Sequence, residues 1–348
     1  MNALIYNKNQ TLTLETRPRP ALQQATDAIV KVTMASICSS DLHIKHGAVP
    51  KAKPGIILGH EMVGIVEEIG DAVKSVKPGD RVTINVETFC GECFFCKHGW
   101  INNCQHPDGG WALGCRMDGG QAEYVRVPFA DHGLDCIPDQ VTDKQALFVG
   151  DILSTGYWAA DLAAIHKEDT VVILGAGPTG LCTAMCAALY EPKNLLVAEV
   201  DPERVQFARK LALEAQIIDS RREDLMQMVM DLTEGRGADS VIEAAGGTGT
   251  FELAWQLARP SGNVCLVAMY EEDQTLPLPQ MYGKNLTFKT GGVHAAHCKR
   301  ILDLIAEGKL DTSQLITHTY PLQEILKAYK TFESRNDGVM KIAIQMEG

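Results

Sequence analysis

Four closely spaced cysteines are the feature that most constrains how this chain can fold. Cys90, Cys93, Cys96 and Cys104 are separated by two, two and seven residues within the polar stretch CGECFFCKHGWINNC. Four thiolates at this spacing can fill the tetrahedral coordination of one Zn²⁺ ion without a ligand from distant sequence. The spacing therefore predicts a structural zinc lobe over about residues 88–110.

The rest of the chain shows two patterns of predicted secondary structure. At 348 residues it is long for one domain and sufficient for two, each with its own core. Up to about residue 130, Val- and Ile-rich runs such as AIVKVTMASI and AEYVRVP are bounded by Gly, Pro and Asp, which is typical of β-strands joined by turns. From near Asp143, strands alternate with helical segments, which indicates a parallel sheet. The predicted fold class is α/β: a mostly β domain over 1–150 and 291–348, with a doubly wound domain inserted over 151–290.

Six strands are predicted for the inserted domain, enough for a complete doubly wound sheet. They cover Val171–Leu174, Leu195–Val200, Ala215–Ile218, Ser240–Glu243, Val264–Ala268 and Leu286–Lys289. Helices are predicted over Gly180–Leu189, Glu203–Leu213 and Arg222–Leu232. After residue 291 the pattern predicts an amphipathic helix over Cys298–Glu307 and a final strand KIAIQ, which we assign to the first domain.

A glycine-rich turn follows the first strand of the inserted domain. The run VVIL is followed by Gly175, Ala176, Gly177, Pro178, Thr179 and Gly180, and then by an Ala-rich segment. The first two glycines allow a tight turn and close approach of a pyrophosphate, and the third lets helix and strand pack closely. The motif predicts a dinucleotide site; the alternative is a turn that only caps a helix.

A carboxylate near this turn favours one form of the dinucleotide. Glu199 stands 19 residues after Gly180, where a carboxylate can accept hydrogen bonds from the adenosine ribose and repel a 2′-phosphate. We therefore expect NAD rather than NADP, although Arg204 could pair with a 2′-phosphate.

The net charge of the chain argues against two classes of binding partner, nucleic acids and anionic membranes. The chain has 32 basic and 44 acidic side chains and a net charge of −12, whereas binding to nucleic acid or an anionic membrane needs a basic face. We therefore expect no nucleic acid and no membrane as a partner.

Six of the eleven cysteines are scattered rather than arranged as a disulfide framework, and the first residues, MNALIYNKNQTLTLE, lack the apolar segment of a signal peptide. Both observations predict a cytoplasmic protein.

Two further runs of residues predict a second metal site. Cys38 opens the run CSSDLH, and His60 lies in the run GHEMVG. A thiolate, an imidazole and a third ligand would bind Zn²⁺ while leaving one coordination position open for a substrate. Taken singly, Cys38 could be a packing residue and His60 a surface residue or a hydrogen-bonded core residue. The four-cysteine lobe that follows favours metal ligation for both.

Together these motifs resemble those of the zinc-containing alcohol dehydrogenases of the medium-chain dehydrogenase/reductase superfamily. The zinc signature G-H-E-x2-G-x5-G-x2-[IV] of that family is matched from Gly59 to Val73, all four lobe cysteines are present, and GAGPTG stands in the expected register. The resemblance covers essentially the whole chain and implies a GroES-like catalytic domain with a Rossmann domain. The segments GDILSTGY (150–157) and GGQAEYVRVP (119–128) are similar to the branch of bacterial secondary-alcohol and glutathione-independent formaldehyde dehydrogenases.

The resemblance implies a ligand set for the second metal site. Cys38, His60 and Asp151 would hold a catalytic zinc, with Glu61 as a nearby and exchangeable fourth ligand. Asp41 would orient His60 from behind.

The resemblance also implies residues for proton transfer and cofactor binding. Ser40 would take the proton of the alcohol and pass it, through the nicotinamide ribose, to His43. Thr155, Gly292 and Val293 would position the nicotinamide.

These expectations define a reaction on a small-molecule substrate. We expect reversible oxidation of an alcohol to an aldehyde or ketone, with hydride transfer to NAD and two zinc ions per chain. We also expect a homo-oligomer, either a dimer or a tetramer. The alternatives are a polyol or sugar-alcohol dehydrogenase, a zinc-free enoyl or quinone reductase, and a dehydrogenase-like protein without catalysis.

Overall fold

The computed structural model describes residues 1–211, 213–335 and 337–346, except for the side chain of Lys8, and it divides the chain into two compact units. Unit 1 comprises Met1–Ser154 and the segment from His294 onward, and unit 2 comprises Thr155–Val293. The boundaries predicted from the sequence, after residues 150 and 290, lie a few residues earlier in the chain.

The structure contains β-strands, α-helices and short 3₁₀ turns, with the following bounds. The strands are β1 (Asn2–Asn7), β2 (Thr11–Thr16), β3 (Ala28–Ile37), β4 (Met62–Ile69), β5 (Arg81–Ile84), β6 (Glu87–Thr88), β7 (Gly110–Trp111), β8 (Tyr124–Val127), β9 (Leu134–Cys136), β10 (Thr170–Leu174), β11 (Asn194–Glu199), β12 (Gln216–Asp219), β13 (Ala238–Glu243), β14 (Ala258–Leu266), β15 (Thr287–Thr290), β16 (Ile316–Pro321) and β17 (Lys341–Gln345). The α-helices are α1 (Ser39–Lys45), α2 (Phe94–Lys97), α3 (Ala130–Gly133), α4 (Asp143–Ala146), α5 (Ile152–Ala163), α6 (Pro178–Ala188), α7 (Pro202–Lys210), α8 (Leu225–Leu232), α9 (Thr250–Leu257), α10 (Leu278–Met281), α11 (Cys298–Ala306) and α12 (Ile325–Ser334). Short 3₁₀ turns cover Lys8–Gln10, Ile101–Asn103, Ser313–Leu315 and Leu322–Glu324. Within the described ranges, no helix is both long and apolar enough to cross a bilayer.

Unit 1 is built around the long strand β3. Its Val- and Ile-rich sequence is buried along most of its length, and it pairs antiparallel with β4, β8 and β17. The main sheet has the strand order β16-β17-β3-β4-β5-β9. The predicted strand KIAIQ is β17, which pairs with β3 and β16 in this sheet. The ends of β3 and β4, where Ala35 pairs with Met62, place the residues around positions 38 and 60 at the same end of the ladder.

Unit 2 is a doubly wound parallel sheet, as predicted. Its strand order is β12-β11-β10-β13-β14-β15, and every neighbouring pair is parallel. The order places β10 next to β11 and β13, where the direction of winding reverses, and a dinucleotide binds at the carboxyl ends of the strands at such a point. Because β10 reads TVVIL and is buried throughout, it forms the centre of the core of this unit.

Two predicted helices of unit 2 begin or end elsewhere because of their capping residues. Helix α7 begins at Pro202, because the Asp201 carboxylate accepts hydrogen bonds from two N–H groups of the first turn. It ends at Lys210, whereas the prediction extended to residue 213; Ala212 of that prediction lies outside the described residues. Helix α8 begins at Leu225 rather than Arg222, because Asp224 caps it by accepting from the Gln227 N–H.

Candidate metal centres and dinucleotide site

The four lobe cysteines converge on one point. Cys93 and Cys96 are brought together by α2, and Cys104 follows the 3₁₀ turn Ile101–Asn103. The four sulfur atoms all lie within 4.8 Å of one another. The Sγ–Sγ distances are 3.4 Å for Cys93–Cys96, 3.6 Å for Cys90–Cys104 and 3.9 Å for Cys90–Cys96. Four sulfurs at about 2.3 Å from one tetrahedral Zn²⁺ would be about 3.8 Å apart, so the donor set fits this ion.

Backbone amides around the lobe favour negatively charged sulfur. The N–H groups of Gln105 and Cys96 lower the pKa of Cys93 to about 6, whereas burial raises the pKa of Cys96 to about 12 and also raises that of Cys104. The Cys104 sulfur also accepts from the Cys90 N–H at 3.4 Å. A thiolate is the form of cysteine that binds metal, so the backbone N–H groups favour that form at Cys93.

The second predicted metal site also assembles, entirely within unit 1. Cys38 caps the start of α1, His60 precedes β4, and Asp151 precedes α5. The three side chains are buried, and their ligand atoms lie within 4.8 Å of one another. Asp151 Oδ2 is 3.2 Å from His60 Nε2 and 3.8 Å from Cys38 Sγ. One thiolate, one imidazole and one carboxylate at these separations are a suitable partial coordination shell for Zn²⁺.

A buried hydrogen-bond network lies on the Nδ1 side of the His60 imidazole, opposite Asp151. His60 Nδ1 lies 3.1 Å from Asp41 Oδ1. The other Asp41 oxygen accepts from the Cys38 N–H at 3.0 Å and from Gln121 Nε2 at 3.1 Å. Tyr329 in turn donates to Gln121 Oε1 at 2.8 Å. Because Asp41 faces Nδ1, Nε2 is left toward Asp151, which is how a carboxylate orients a metal-binding histidine.

The electrostatics of the centre favour a cation. Burial alone would lower the pKa of His60, but the charge of Asp41 and hydrogen bonds with Asp151 and Asp41 raise it well above its ordinary value. A positive charge at this point is therefore stabilised by the surrounding carboxylates, whether a proton or a metal ion carries it.

Glu61 lies outside the group formed by the other three ligands. Its Oε2 accepts from Ser36 Oγ at 2.6 Å and from Lys341 Nζ, and Lys341 also donates to the Ile37 carbonyl at 3.0 Å. Burial raises the pKa of Glu61, and the Lys341 ammonium opposes that rise. The role of Glu61 as an exchangeable ligand stays a prediction. Lys341 was missed at the sequence level, although a lysine opening the apolar run KIAIQ was an available signal.

Ser40 and His43 share one side of α1, because they are three residues apart on the helix. Both are partly buried, and Ser40 Oγ lies 3.8 Å from Cys38 Sγ. The path of a proton from one to the other stays a prediction.

Two residues that were not selected from the sequence also lie beside the second centre. Trp111 meets the His60 ring edge-on, with 5.5 Å between ring centroids, and Glu87 is the cross-strand partner of Trp111. Glu87 is 5% exposed, and burial raises its pKa to about 8. The charge of Asp151 adds to the rise, whereas Arg116 and His60 oppose it.

The glycine-rich turn of unit 2 has the geometry of a pyrophosphate site. It joins β10 to α6, which is capped by Gly177 and begins at Pro178. A Cβ on Gly180 would lie 1.9 Å from the Gly175 carbonyl oxygen, so only glycine allows helix and strand to pack this closely. Thr179 lies in the first turn of α6. The N-terminus of a helix of this length presents N–H groups and a positive dipole end to an anion.

Glu199 and Arg204 both reach this turn. Glu199 ends β11 and is 7% exposed; its Oε2 accepts from the Ala176 N–H at 2.9 Å, and its Oε1 accepts from the N–H groups of Val200 and Asp201. These N–H donors hold the carboxylate against the glycine-rich turn. Arg204 Nη1 lies 3.6 Å from where a Cβ on Gly177 would be. An acid and a base thus lie beside the glycine-rich turn, and their roles in cofactor choice stay predictions.

Three residues predicted to contact the nicotinamide also lie in unit 2. Thr155 is on α5, and Gly292 and Val293 follow β15. Their role stays a prediction.

Comparison with known families gives the class of protein. Residues 24–138 match the alcohol dehydrogenase GroES-like domain, and residues 178–307 match the zinc-binding dehydrogenase family. The chain is 35% identical over 342 residues to zinc-type alcohol dehydrogenase B of Aspergillus flavus, covering 96% of this chain and 79% of that protein. It is 34% identical over 372 residues to an alcohol dehydrogenase of Cupriavidus necator, covering 99% and 98%. The solved alcohol dehydrogenase TADH from Thermus sp. ATN1 has a TM-score of 0.91 and 33% identity, with 100% of each chain covered.

Related structures hold both forms of the nicotinamide cofactor. The rspB alcohol dehydrogenase of E. coli CFT073, with a TM-score of 0.89 and 27% identity, covers 99% of each chain and is complexed with NADH. A zinc-binding dehydrogenase of Sinorhizobium meliloti 1021, with a TM-score of 0.88 and 27% identity over 99% of this chain and 98% of that chain, is bound to NADP.

This chain therefore belongs to the zinc-type alcohol dehydrogenases of the medium-chain dehydrogenase/reductase superfamily. It is a zinc-binding oxidoreductase that oxidises a small-molecule alcohol with a nicotinamide cofactor, as the sequence predicted.

Proposed function

We propose that Cys38, His60 and Asp151 hold the catalytic zinc, and that this centre converts an alcohol to an aldehyde or ketone. The observation that carries the proposal is the convergence of three buried ligand atoms within 4.8 Å of one another. When bound, Zn²⁺ would supply a Lewis acid for the substrate hydroxyl and so lower its pKa.

The side chains around the centre have separate tasks in this proposal. Asp41 keeps His60 in the tautomer and orientation that a metal ligand needs. Ser40 accepts the proton that the alcohol releases, and His43 passes it toward solvent. The second zinc, in the lobe, is structural, because four thiolates leave it no open coordination position.

Replacing Cys38 tests the assignment of the catalytic ligands. Cys38→Ser should lower turnover by roughly a thousandfold or more, since Lewis-acid stabilisation is worth several kcal/mol. Elemental analysis should show the loss of one zinc per chain, with the lobe zinc retained. Cys136→Ser is a matched control, because Cys136 is an exposed free thiol outside both centres. Loss of both metals, or undiminished turnover, would show that the ligands are wrongly divided between the two centres.

We further propose that the enzyme prefers NAD to NADP because of Glu199. A 2′-phosphate beside this carboxylate would face a like charge, and the N–H groups that bind Glu199 prevent it from moving away. Charge-assisted hydrogen bonds of this kind are worth about 1.5–3 kcal/mol, which corresponds to roughly ten- to hundredfold discrimination.

The cofactor proposal is tested by measuring kcat/KM with both cofactors. The preference for NAD should shrink in Glu199→Ala and persist in Glu203→Ala, which removes an equal charge from an exposed position on α7. Arg204→Ala should change the use of NADP more than that of NAD if its guanidinium accepts the phosphate. Equal use of both cofactors by the wild type would contradict the role of Glu199.

We also propose a cytoplasmic homo-oligomer, a dimer or a tetramer. The eleven free cysteines, all within the described residues, support a reducing environment. Light scattering at several protein concentrations should give the mass of two or four chains, and a monomer at all of them would contradict the proposal.

A further inference from the structure

Two buried polar groups beside the catalytic centre have no task in the mechanism above. Glu87 and Trp111 occupy directly opposite positions on β6 and β7. Opposite residues of an antiparallel pair project from the same face of the ladder, with Cβ atoms about 4.5–5.5 Å apart. Because the Trp111 ring contacts the His60 ring, this shared face lies against a ligand of the proposed metal centre.

The two groups have complementary hydrogen-bonding capacity. A carboxyl oxygen can accept, whereas the indole N–H can only donate. Glu87 Oε2 and Trp111 Nε1 are both buried, and neither has a hydrogen-bond partner among the described residues. Arg116, the cation near Glu87, donates instead to the backbone carbonyls of Pro107, Gly109 and Trp111. A buried polar atom without a partner is costly, so this pair calls for a ligand that both accepts and donates.

We propose that Glu87 and Trp111 bind a second hydroxyl group of the substrate, so that the enzyme selects alcohols with a hydroxyl on a neighbouring carbon, such as vicinal diols. The proposal rests on the proposed function, in which the first hydroxyl is presented to Cys38, His60 and Asp151. One hydroxyl accepts from Trp111 Nε1–H while it donates to Glu87 Oε2. An alkyl group at the same place leaves both protein groups unpaired, and sites of this kind discriminate strongly against the analogue that lacks the hydroxyl.

A pair of substrates with the same carbon chain tests this selection. The kcat/KM values for butane-2,3-diol and butan-2-ol give a diol preference, which should be at least about tenfold in the wild type. Glu87→Leu removes the acceptor, and Trp111→Phe removes the donor while keeping a ring against His60. Each should lower the diol preference by about tenfold or more, whereas Glu87→Gln, which keeps an acceptor oxygen, should retain part of it.

Trp255→Phe is the matched control. Trp255 also has a buried Nε1 with no partner in the part of the chain that the structure describes, but it lies in the core of unit 2. The same substitution there should leave the diol preference at the wild-type value.

Binding without turnover provides a second measurement. NMR titration of the zinc-loaded enzyme with butane-2,3-diol, in the absence of cofactor, should give a Kd that rises in Glu87→Leu and Trp111→Phe and not in Trp255→Phe.

Two kinetic results would overturn the inference and leave the proposed alcohol oxidation standing. The first is a wild-type kcat/KM ratio of diol to mono-alcohol near one, and the second is an equal loss of kcat/KM for both substrates in the Glu87 and Trp111 variants. A lowered Tm in both variants with an unchanged preference would also overturn it, since the two groups would then bind only a structural water. No turnover of any alcohol would count against the proposed function instead, and the titration would still decide the inference.

Discussion

At the scale of single residues, the charge state of Glu87 should make the stability of the protein depend on pH. In the metal-free protein, burial raises the pKa of Glu87 from 4.5 to about 8. The folded chain therefore keeps a proton that the unfolded chain releases. This contribution to stability is complete below about pH 4.5 and is lost as the pH rises toward 8.

We predict that this loss can be removed by one substitution. In a Cys38→Ser background, adding Glu87→Gln should make Tm fall less between pH 5 and pH 8, because glutamine does not ionise. His60, whose raised pKa acts in the same direction, is present in both proteins and cancels in the comparison. A difference in Tm between the two proteins that does not vary with pH would show that Glu87 does not have a raised pKa.

Also at this scale, the buried pair of Glu61 and Lys341 should be costly to break. Both side chains are essentially inaccessible to solvent. Removing one partner leaves an uncompensated buried charge, so Lys341→Ala should destabilise the protein by about 3–5 kcal/mol. Adding Glu61→Gln should restore part of that loss, and denaturant unfolding of the single and double variants measures the coupling.

An exposed ion pair supplies the contrast for this prediction. Lys167 and Glu191 also form an ion pair, but their side chains are 75% and 67% exposed. Lys167→Ala should change the stability by less than about 1 kcal/mol. Similar losses for Lys341→Ala and Lys167→Ala would mean that the buried pair is not a special determinant of stability.

At the scale of elements, the cysteine lobe has very little regular structure to hold it together. Within it, α2 and the 3₁₀ turn span only a few residues each, and the side chains of Phe94 and Trp100 are largely exposed. In the proposed structural zinc site, metal coordination would take the place of a hydrophobic core, as it does in small zinc-binding folds.

We predict that Cys93→Ala or Cys104→Ala lowers Tm and the zinc content before it alters the chemistry. The remaining folded enzyme should keep its kcat when the rate is normalised to folded protein. Circular dichroism melts and zinc analysis of the same samples provide the measurement. A variant that melts like the wild type and yet has lost catalysis would contradict a structural role for this zinc.

At the scale of the whole molecule, the two donor sets predict a metal content of two zinc ions per chain. Both sets lie in unit 1 and share no residue. Protein purified without chelator should approach this ratio by elemental analysis. Because zinc held by Cys38, His60 and Asp151 would keep an open coordination position and zinc held by four thiolates would not, dialysis against a chelator should remove one zinc, together with activity, before the other. A ratio of one, or simultaneous loss of both ions, would contradict the existence of two independent centres.

Features that depend on neighbouring residues were predictable from the sequence. The spacing of the lobe cysteines placed all four ligands within one contiguous segment, and the structure brings them together. The glycine-rich turn and the six strands of unit 2 were also predicted, because alternating apolar runs and glycines report on local backbone geometry. The starts of α7 and α8 were misplaced because the capping contacts of Asp201 and Asp224 decide them.

What the sequence by itself determined is thus the two-domain α/β fold, the four-cysteine lobe and the glycine-rich turn, since each is encoded by residues close together in the chain. Only the tertiary structure decided which distant side chains meet. It brings Asp151 to Cys38 and His60, Tyr329 to Gln121 and Lys341 to Glu61. It also sets Glu87 opposite Trp111, beside His60. Strand register and packing across a core determine such contacts, and neither can be predicted from the spacing of residues within one segment.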